Sequence, residues 1–247
     1  MKRAAICIGG HFRTPSLYNN IKENILDVLN SNGIETDVFI SMWDTEGHRD
    51  NNFGGAISID KIVSLYKPTV IEVEKSDREF FLKTYKSDNV NKKYSSPETS
   101  GDSASMWYKL WRSKELVVSH SIHKDVVYDL VFRVRSDIEM TTPLDISDVR
   151  DCLRSDTVYM PISHGLYLDV TKGMMDHYFF GPTNLMDQIF DLYIDISDYL
   201  DLSIPHTAEG FLWYRIESLK IPIKRFKTSY NVYRPYKMEK VCDSIEN

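Results

Sequence analysis

Apolar positions recur along the chain in two alternating rhythms. Residues 4–8 (AAICI) form a short unbroken apolar run that stops at Gly9-Gly10, the pattern of a strand buried on both faces and followed by a glycine turn. Over 16–30 the apolar residues fall at Leu17, Ile21, Ile25, Val28 and Leu29, a helical spacing ended by Asn32-Gly33. A second strand is predicted at 37–42 (DVFISM), running into Trp43-Asp44; a helix at 59–66 has Ser58 as its N-cap, and a third strand covers 69–73. Strand, helix, strand, helix, strand is the order of linked βαβ units, which implies a mostly parallel sheet covered by helices.

The rest of the chain keeps the alternation less regularly. Residues 86–104 are polar with almost no apolar anchor, and are expected to form a long surface loop, either a lid or an insertion. A helix is predicted at 105–120 on Met106, Leu110, Leu116 and Val117, then a strong central strand at 128–134 (YDLVFRV). Strands follow at 158–162 and 178–180, helices at 184–200 and from Thr207 to about 219, and a late strand at 221–226. The segment 230–234 (YNVYR) reads as a C-terminal strand or a flap over a ligand. No repeat or domain boundary interrupts the pattern, so 1–247 is expected to be one α/β domain.

Composition narrows the classes. Hydrophobic residues at 42% and charged residues at 27% are ordinary for a globular chain. A net charge of -6 argues against a nucleic-acid binder that works by phosphate neutralisation, while leaving room for a local basic pocket. The cysteines, Cys7, Cys152 and Cys242, have no zinc spacing and suit a reducing, cytoplasmic setting. The apolar run near the N-terminus is too short for a signal peptide, and no window approaches the roughly 20 apolar residues of a membrane span.

The segment richest in chemistry is YDLVFRVRSDIEM, residues 128–140. An apolar strand delivers Arg133 and Arg135 to one face, and Asp137 and Glu139 follow at the same spacing, so all four share a face if the strand continues. Mixed charge on one sheet face is costly to bury unless it binds something ionic. A nucleoside diphosphate with a divalent cation fits, the carboxylates holding the cation and the guanidinium forks meeting phosphate. A structural Arg–Asp network is the competing reading. Gly9 to Arg13 and Trp43-Asp44 also follow strands, where open α/β sheets bind their ligands.

These segments resemble the GT-A type glycosyltransferases, the small nucleotide-sugar-dependent enzymes of capsule, lipopolysaccharide and large-virus glycan clusters. The strand end with its acidic pair is similar to their D-x-D element, with Glu139 in the second acidic position. AICIGGHFR (5–13) resembles their first strand and nucleotide loop, DVFISMWD (37–44) their second strand, and GMMDHYFFG (173–181) their acceptor-side segment. The resemblance implies a GT-A-like, Rossmann-type three-layer α/β/α sandwich, with 1–140 as the nucleotide-sugar-binding half and 141–247 as the acceptor half. It also implies a donor, by family frequency a UDP-sugar, with Mn²⁺ or Mg²⁺, and a glycan acceptor.

On that likeness Gly9 and Gly10 admit the nucleotide backbone-close, Arg13 reaches the diphosphate, and Asp137 and Glu139 hold the metal. His11 contacts base or phosphate unless it is a surface residue. Trp43 borders the base or fills the core. Lys109 points at phosphate or, the favoured reading, into solvent. Asp176 and Glu209 are the candidate carboxylate bases for the acceptor hydroxyl; for Glu209, in PHTAEG at a helix start, dipole complementarity is the rival reading. His177 or His206 could complete a metal shell. Two other classes stay open: a sugar nucleotidyltransferase, whose G-x-G-T-R loop is only faintly suggested by GGHFR, and a non-catalytic carbohydrate-binding domain.

Overall fold

The computed structural model describes residues 1–13, 17–45, 58–87, 96–161, 174–226, 228–234 and 237–240. Residue 16 of the first predicted helix, 88–95 of the predicted loop, 162 of the predicted strand, and Gly173 and Cys242 lie outside them.

The centre is β1 (Lys2–Gly10), which pairs in parallel with β2 (Ile34–Trp43) from Lys2↔Ile34 to Gly10↔Met42. On its other side it pairs in parallel with β4 (Leu130–Val134), and β3 (Val70–Glu74) lies outside β2. Beyond β4 come β7 (Tyr178–Pro182), antiparallel, then β6 (Val158–Pro161) and β8 (Ile223–Phe226), giving the seven-stranded order β3-β2-β1-β4-β7-β6-β8.

Alternation along the strands divides the core into two. Ala4, Ile6 and Ile8 of β1 and Leu130, Phe132 and Val134 of β4 face one way. They meet the helical run α1 (18–31), α2 (Ile59–Tyr66) and α5 (Ile146–Ser155). Ala5, Cys7 and Val131 face the other way, toward α3 (Arg78–Thr84), α4 (Pro97–Lys124), α6 (Thr183–Phe190), α7 (Leu192–Tyr199) and α8 (Ala208–Leu219). The chain therefore forms the expected GT-A-like, Rossmann-type three-layer α/β/α sandwich.

Four features depart from the sequence expectation. The polar stretch taken for loop through residue 104 becomes helix at Pro97, with Ser96 and Thr99 forming a capping box. Its first turns bury Ser100, Gly101, Ser103 and Ala104, residues too small to mark an apolar face. The helix expected at 184–200 is split at Asp191 into α6 and α7. Strand β4 stops at Val134, so the four-charge face does not continue; residues 138–140 instead form β5, in a separate antiparallel sheet with β9 (Tyr230–Arg234) and β10 (Lys237–Lys240). That small sheet is tied to α1 by Asn20, whose amide donates to the Met140 carbonyl at 2.9 Å and accepts from its N–H at 2.6 Å. Helices α3 and α5, strand β10 and the small sheet had no counterpart in the sequence reading.

Gly101 shows why α4 starts with small residues. A Cβ there would lie 2.8 Å from Leu82 Cα and 2.9 Å from Leu82 N, atoms of the α3 backbone that cannot swing aside. Helix propensity alone favours Ala over Gly by about 1 kcal/mol. The clash should outweigh that gain, so Gly101→Ala is expected to destabilise the fold by about 1–3 kcal/mol in urea denaturation.

Candidate active site

The charged residues converge at the carboxyl ends of β1, β2 and β4, beside the start of β7 and the N-terminus of α8. Two glycines bring the chain close there for different reasons. A Cβ on Gly9 would sit 2.9 Å from the Lys109 backbone C and O, so its bareness lets α4 pack against the end of β1. Gly10 has φ +112° with open space around it, a conformation that L side chains rarely adopt, and this turns the chain into His11 to Arg13.

Arg133 is fully buried and spends its guanidinium on carbonyls: Nε donates to Asp176 O, and Nη1 to Gly9 O and Val134 O, each at 3.2 Å. It ties β1, β4 and the approach to β7 together, and burial lowers its pKa to about 10. Arg135, two residues on, grips Asp137 with both ends of its fork, Nε to Oδ1 at 2.8 Å and Nη2 to Oδ2 at 2.6 Å. Arg13 Nη1 approaches the same Oδ2 at 3.4 Å from a side chain that is 28% exposed. Asp137 is itself only 2% exposed. Burial works against its charge, but Arg135 and then Arg13 outweigh burial and hold the carboxyl far below the usual range. Burial likewise opposes the charge on Arg135, and Asp137 more than restores it. Ser136 Oγ donates to His11 O at 3.4 Å, which places this ion cluster directly against the β1 loop.

Asp176 contrasts with Asp137. It is 1% exposed, yet neither of its side-chain oxygens has a hydrogen-bond partner among the described residues. Its nearest polar neighbours are the guanidinium of Arg135, Nη1 at 3.8 Å, and the ring of His177, Nε2 at 3.4 Å. Burial pushes the Asp176 pKa up, while His177, Arg135 and Arg133 hold it below the ordinary value. Burial lowers the His177 pKa to about 4, so the ring is neutral near pH 7, and its Nδ1 has no hydrogen-bond partner. Glu209 reaches the same place from the first turn of α8. Thr207 caps that helix by accepting from Gly210 N at 3.0 Å, and Gly210 must lack a Cβ because one would collide with the Pro205 carbonyl. Burial and the charge of Asp176 both raise the Glu209 pKa. One ligand atom each from Asp176, His177 and Glu209 lies within 4.8 Å of the others.

The remaining sequence candidates fall around this centre. Lys109 is 0% exposed, not solvated: its ammonium is paired with Glu74 at the end of β3 and lies 4.2 Å from the Trp43 ring centroid. Trp43 is buried between Phe81 and Tyr108. Glu74, which also accepts from Tyr108 Oη at 2.9 Å, was not singled out in the sequence; it and Glu72 lie on one face of β3, and both pair with basic residues of α4 far along the chain. Glu139 lies in β5, in register with Asn231 of β9, while Asp137 falls in the turn before that strand. His206 is buried against Phe211 with Nε2 3.2 Å from Leu202 O, outside the group formed with His177. Tyr230 and Val232 of β9 are buried, with the Tyr230 ring 6.1 Å from that of His177; this part of the segment packs as a strand.

No family model matches the sequence, and no curated protein matches it. Among solved structures, mouse xyloside xylosyltransferase 1, in its apo form, overlays 92% of this chain and 85% of its own at a TM-score of 0.43 with 7% identity. A protein of Desulfovibrio desulfuricans, provisionally named a nucleotide-diphospho-sugar transferase, overlays 92% of this chain and 80% of its own at 0.39 with 9% identity. Overlays this loose carry no argument about function, which rests on the residues.

Two measurements check the electrostatics. Asp137→Asn leaves Arg135 without its bidentate partner, and is expected to cost about 3–5 kcal/mol in chemical denaturation. His11 has its pKa lowered to about 4, chiefly by burial, with Nδ1 3.0 Å from Thr45 O. Its unfolded value is higher, so the stability that neutral His11 contributes is full above about pH 6.5 and declines as pH falls toward the folded value. Urea titrations at pH 7.5 and 5 should show a fall of about 1–3 kcal/mol that His11→Gln reduces.

Proposed function

We propose that this protein is a glycosyltransferase that moves a sugar from a nucleoside-diphosphate sugar, by default a UDP-sugar, to a hydroxyl of a glycan acceptor with the help of a divalent cation. The observation that carries the reading is the convergence of the guanidinium groups of Arg13, Arg133 and Arg135 with the carboxyl groups of Asp137, Asp176 and Glu209 at the carboxyl rim of the parallel strands. A purely structural network would pair every member. Here Asp137 is fully paired, while Asp176 is buried without a hydrogen bond. A carbohydrate-binding face would instead present aromatics on an open surface, and Trp43 is buried.

In this reading Asp137 fixes Arg135 and Arg13 in place, and the two guanidinium groups meet the diphosphate as it departs with growing negative charge. Arg13, partly exposed, reaches first. A bound divalent cation would supply further charge neutralisation to the leaving diphosphate. At the acceptor side the hydroxyl proton needs a carboxylate. Glu209 suits that role better than Asp176, because it is less buried and its raised pKa makes it the stronger base.

Calorimetry with UDP, GDP and their sugars, with and without Mn²⁺, tests the reading. Binding is expected to depend on the cation. Arg13→Ala is expected to weaken it about 10- to 100-fold, the size of one charge-assisted hydrogen bond. Slow release of free sugar from one donor in the absence of acceptor should accompany binding. If no nucleotide binds, or if a nucleoside triphosphate with a sugar phosphate yields pyrophosphate instead, glycosyl transfer is the wrong reading.

A further inference from the structure

We infer that the divalent cation is seated by Asp176, His177 and Glu209, where β7 begins and α8 starts, and not by the acidic pair Asp137 and Glu139 at the strand end. The inference rests on the glycosyl-transfer reading for the purpose of the cation, though not for its binding.

Both oxygens of Asp137 are taken by Arg135, at 2.8 and 2.6 Å, and Arg13 stands 3.4 Å from one of them. A cation arriving there would have to displace a bidentate ion pair inside the protein and would face two guanidinium groups. Glu139 does not help, since the break after Val134 carries it into the small sheet opposite Asn231. Asp176 has the reverse problem: a charge 1% exposed, with neither oxygen hydrogen-bonded. A buried charged group left unsatisfied costs several kcal/mol, roughly, and persists where something else satisfies it.

The residues around that unsatisfied carboxylate are ligands by type. His177, 6% exposed, brings a ring nitrogen to 3.4 Å from Asp176 Oδ1, and its other nitrogen also lacks a hydrogen-bond partner. Glu209 adds a second carboxylate, with all three ligand atoms inside 4.8 Å. A cation with bonds of about 2.1 Å puts adjacent ligands about 3.0 Å apart and opposed ones about 4.2 Å apart, so the trio closes on an ion by side-chain movement on the order of 1–2 Å. Two oxygens and one imidazole nitrogen suit Mn²⁺ or Zn²⁺ better than Ca²⁺. Three protein ligands leave further positions for oxygens of a diphosphate. Rigid parts hold the trio: Arg133 fixes the Asp176 carbonyl, and the Thr207 cap with Gly210 fixes the start of α8.

A carboxylate oxygen bound to a cation is a poorer base, so Glu209 would take the acceptor proton through an oxygen that the cation leaves free.

Mn²⁺ binding to the full chain, followed by electron paramagnetic resonance with and without UDP, decides the matter. One Mn²⁺ per chain is expected, with modulation from a directly bound nitrogen. Glu209→Gln and His177→Gln are expected to weaken binding at least tenfold, and His177→Gln to erase the nitrogen modulation, while Glu139→Gln changes affinity less than twofold. Circular dichroism and thermal denaturation verify that each variant folds; if His177→Gln does not, the half-buried Glu209→Gln still provides the comparison. Unchanged Mn²⁺ affinity in Glu209→Gln, loss of affinity in Glu139→Gln, or absence of nitrogen modulation in the wild type would each overturn the assignment. Mn²⁺ bound at the trio in a protein that neither binds nor cleaves any nucleotide sugar would overturn glycosyl transfer and leave the cation site standing.

Discussion

A single guanidinium, that of Arg135, governs the rim of the sheet. It holds Asp137 in a two-point grip, lies 3.8 Å from Asp176, and sends its own backbone N–H to the His177 carbonyl at 3.1 Å. Two carboxylates at the end of β4 and the start of β7 therefore share one guanidinium in a nearly closed environment. Charges this buried are tolerated only in compensated sets, and removing one member costs more than the whole set contributes. The turn that ends β4 is part of the same constraint. Had the strand run on, residue 137 would have projected beside residue 135 along one face; the turn instead brings its carboxylate back into the fork.

Assembling that set requires backbones to come closer than side chains allow. Gly9 lets α4 lie against the end of β1, so that Lys109 enters beneath Trp43 and pairs with Glu74. Gly210 lets the Pro205 turn fold onto the first turn of α8, which aims Glu209 at Asp176. Trp107, donating from Nε1 to Ala208 O at 3.3 Å, pins that turn to α4. The long helix α4 thus positions both flanks of the site, one through its backbone at Lys109 and one through its indole.

This dependence on small residues and close approach explains what the sequence made legible. Strands buried on both faces announce themselves as apolar runs, so β1, β2, β4 and the layer architecture could be read directly. Helix α4 could not be read from its beginning, because residues 100–104 pack through Gly, Ser and Ala, and small size leaves no apolar stripe. The small sheet was invisible for another reason. Its strands β5 and β9 are distant in sequence and are joined to the body through Asn20, a polar residue on a helix. Among the site candidates, Arg133, Arg135, Asp137, Asp176 and Glu209 were all singled out from local context. Which of them pair was not legible, since the break after Val134 decides which charges meet. Lys109 was read as solvated because a lysine on a helix carries no sign of the glutamate, 35 residues earlier, that draws it inward.

The electrostatic division of the site follows from how its two sides are held. On the β1 and β4 side the acid, Asp137, is saturated by arginine, and Arg13 extends from it toward solvent, which yields a fixed positive edge suited to phosphate. On the β7 and α8 side the acids outnumber their donors: Asp176 lacks hydrogen bonds, Glu209 is pushed toward its protonated form, and His177 is kept neutral. Such a side gains by accepting positive charge, since a cation would give Asp176 the partner it lacks among the described residues. On the proposed reading, a cation on the β7 and α8 side and the guanidinium of Arg13 on the other would meet a diphosphate from two directions.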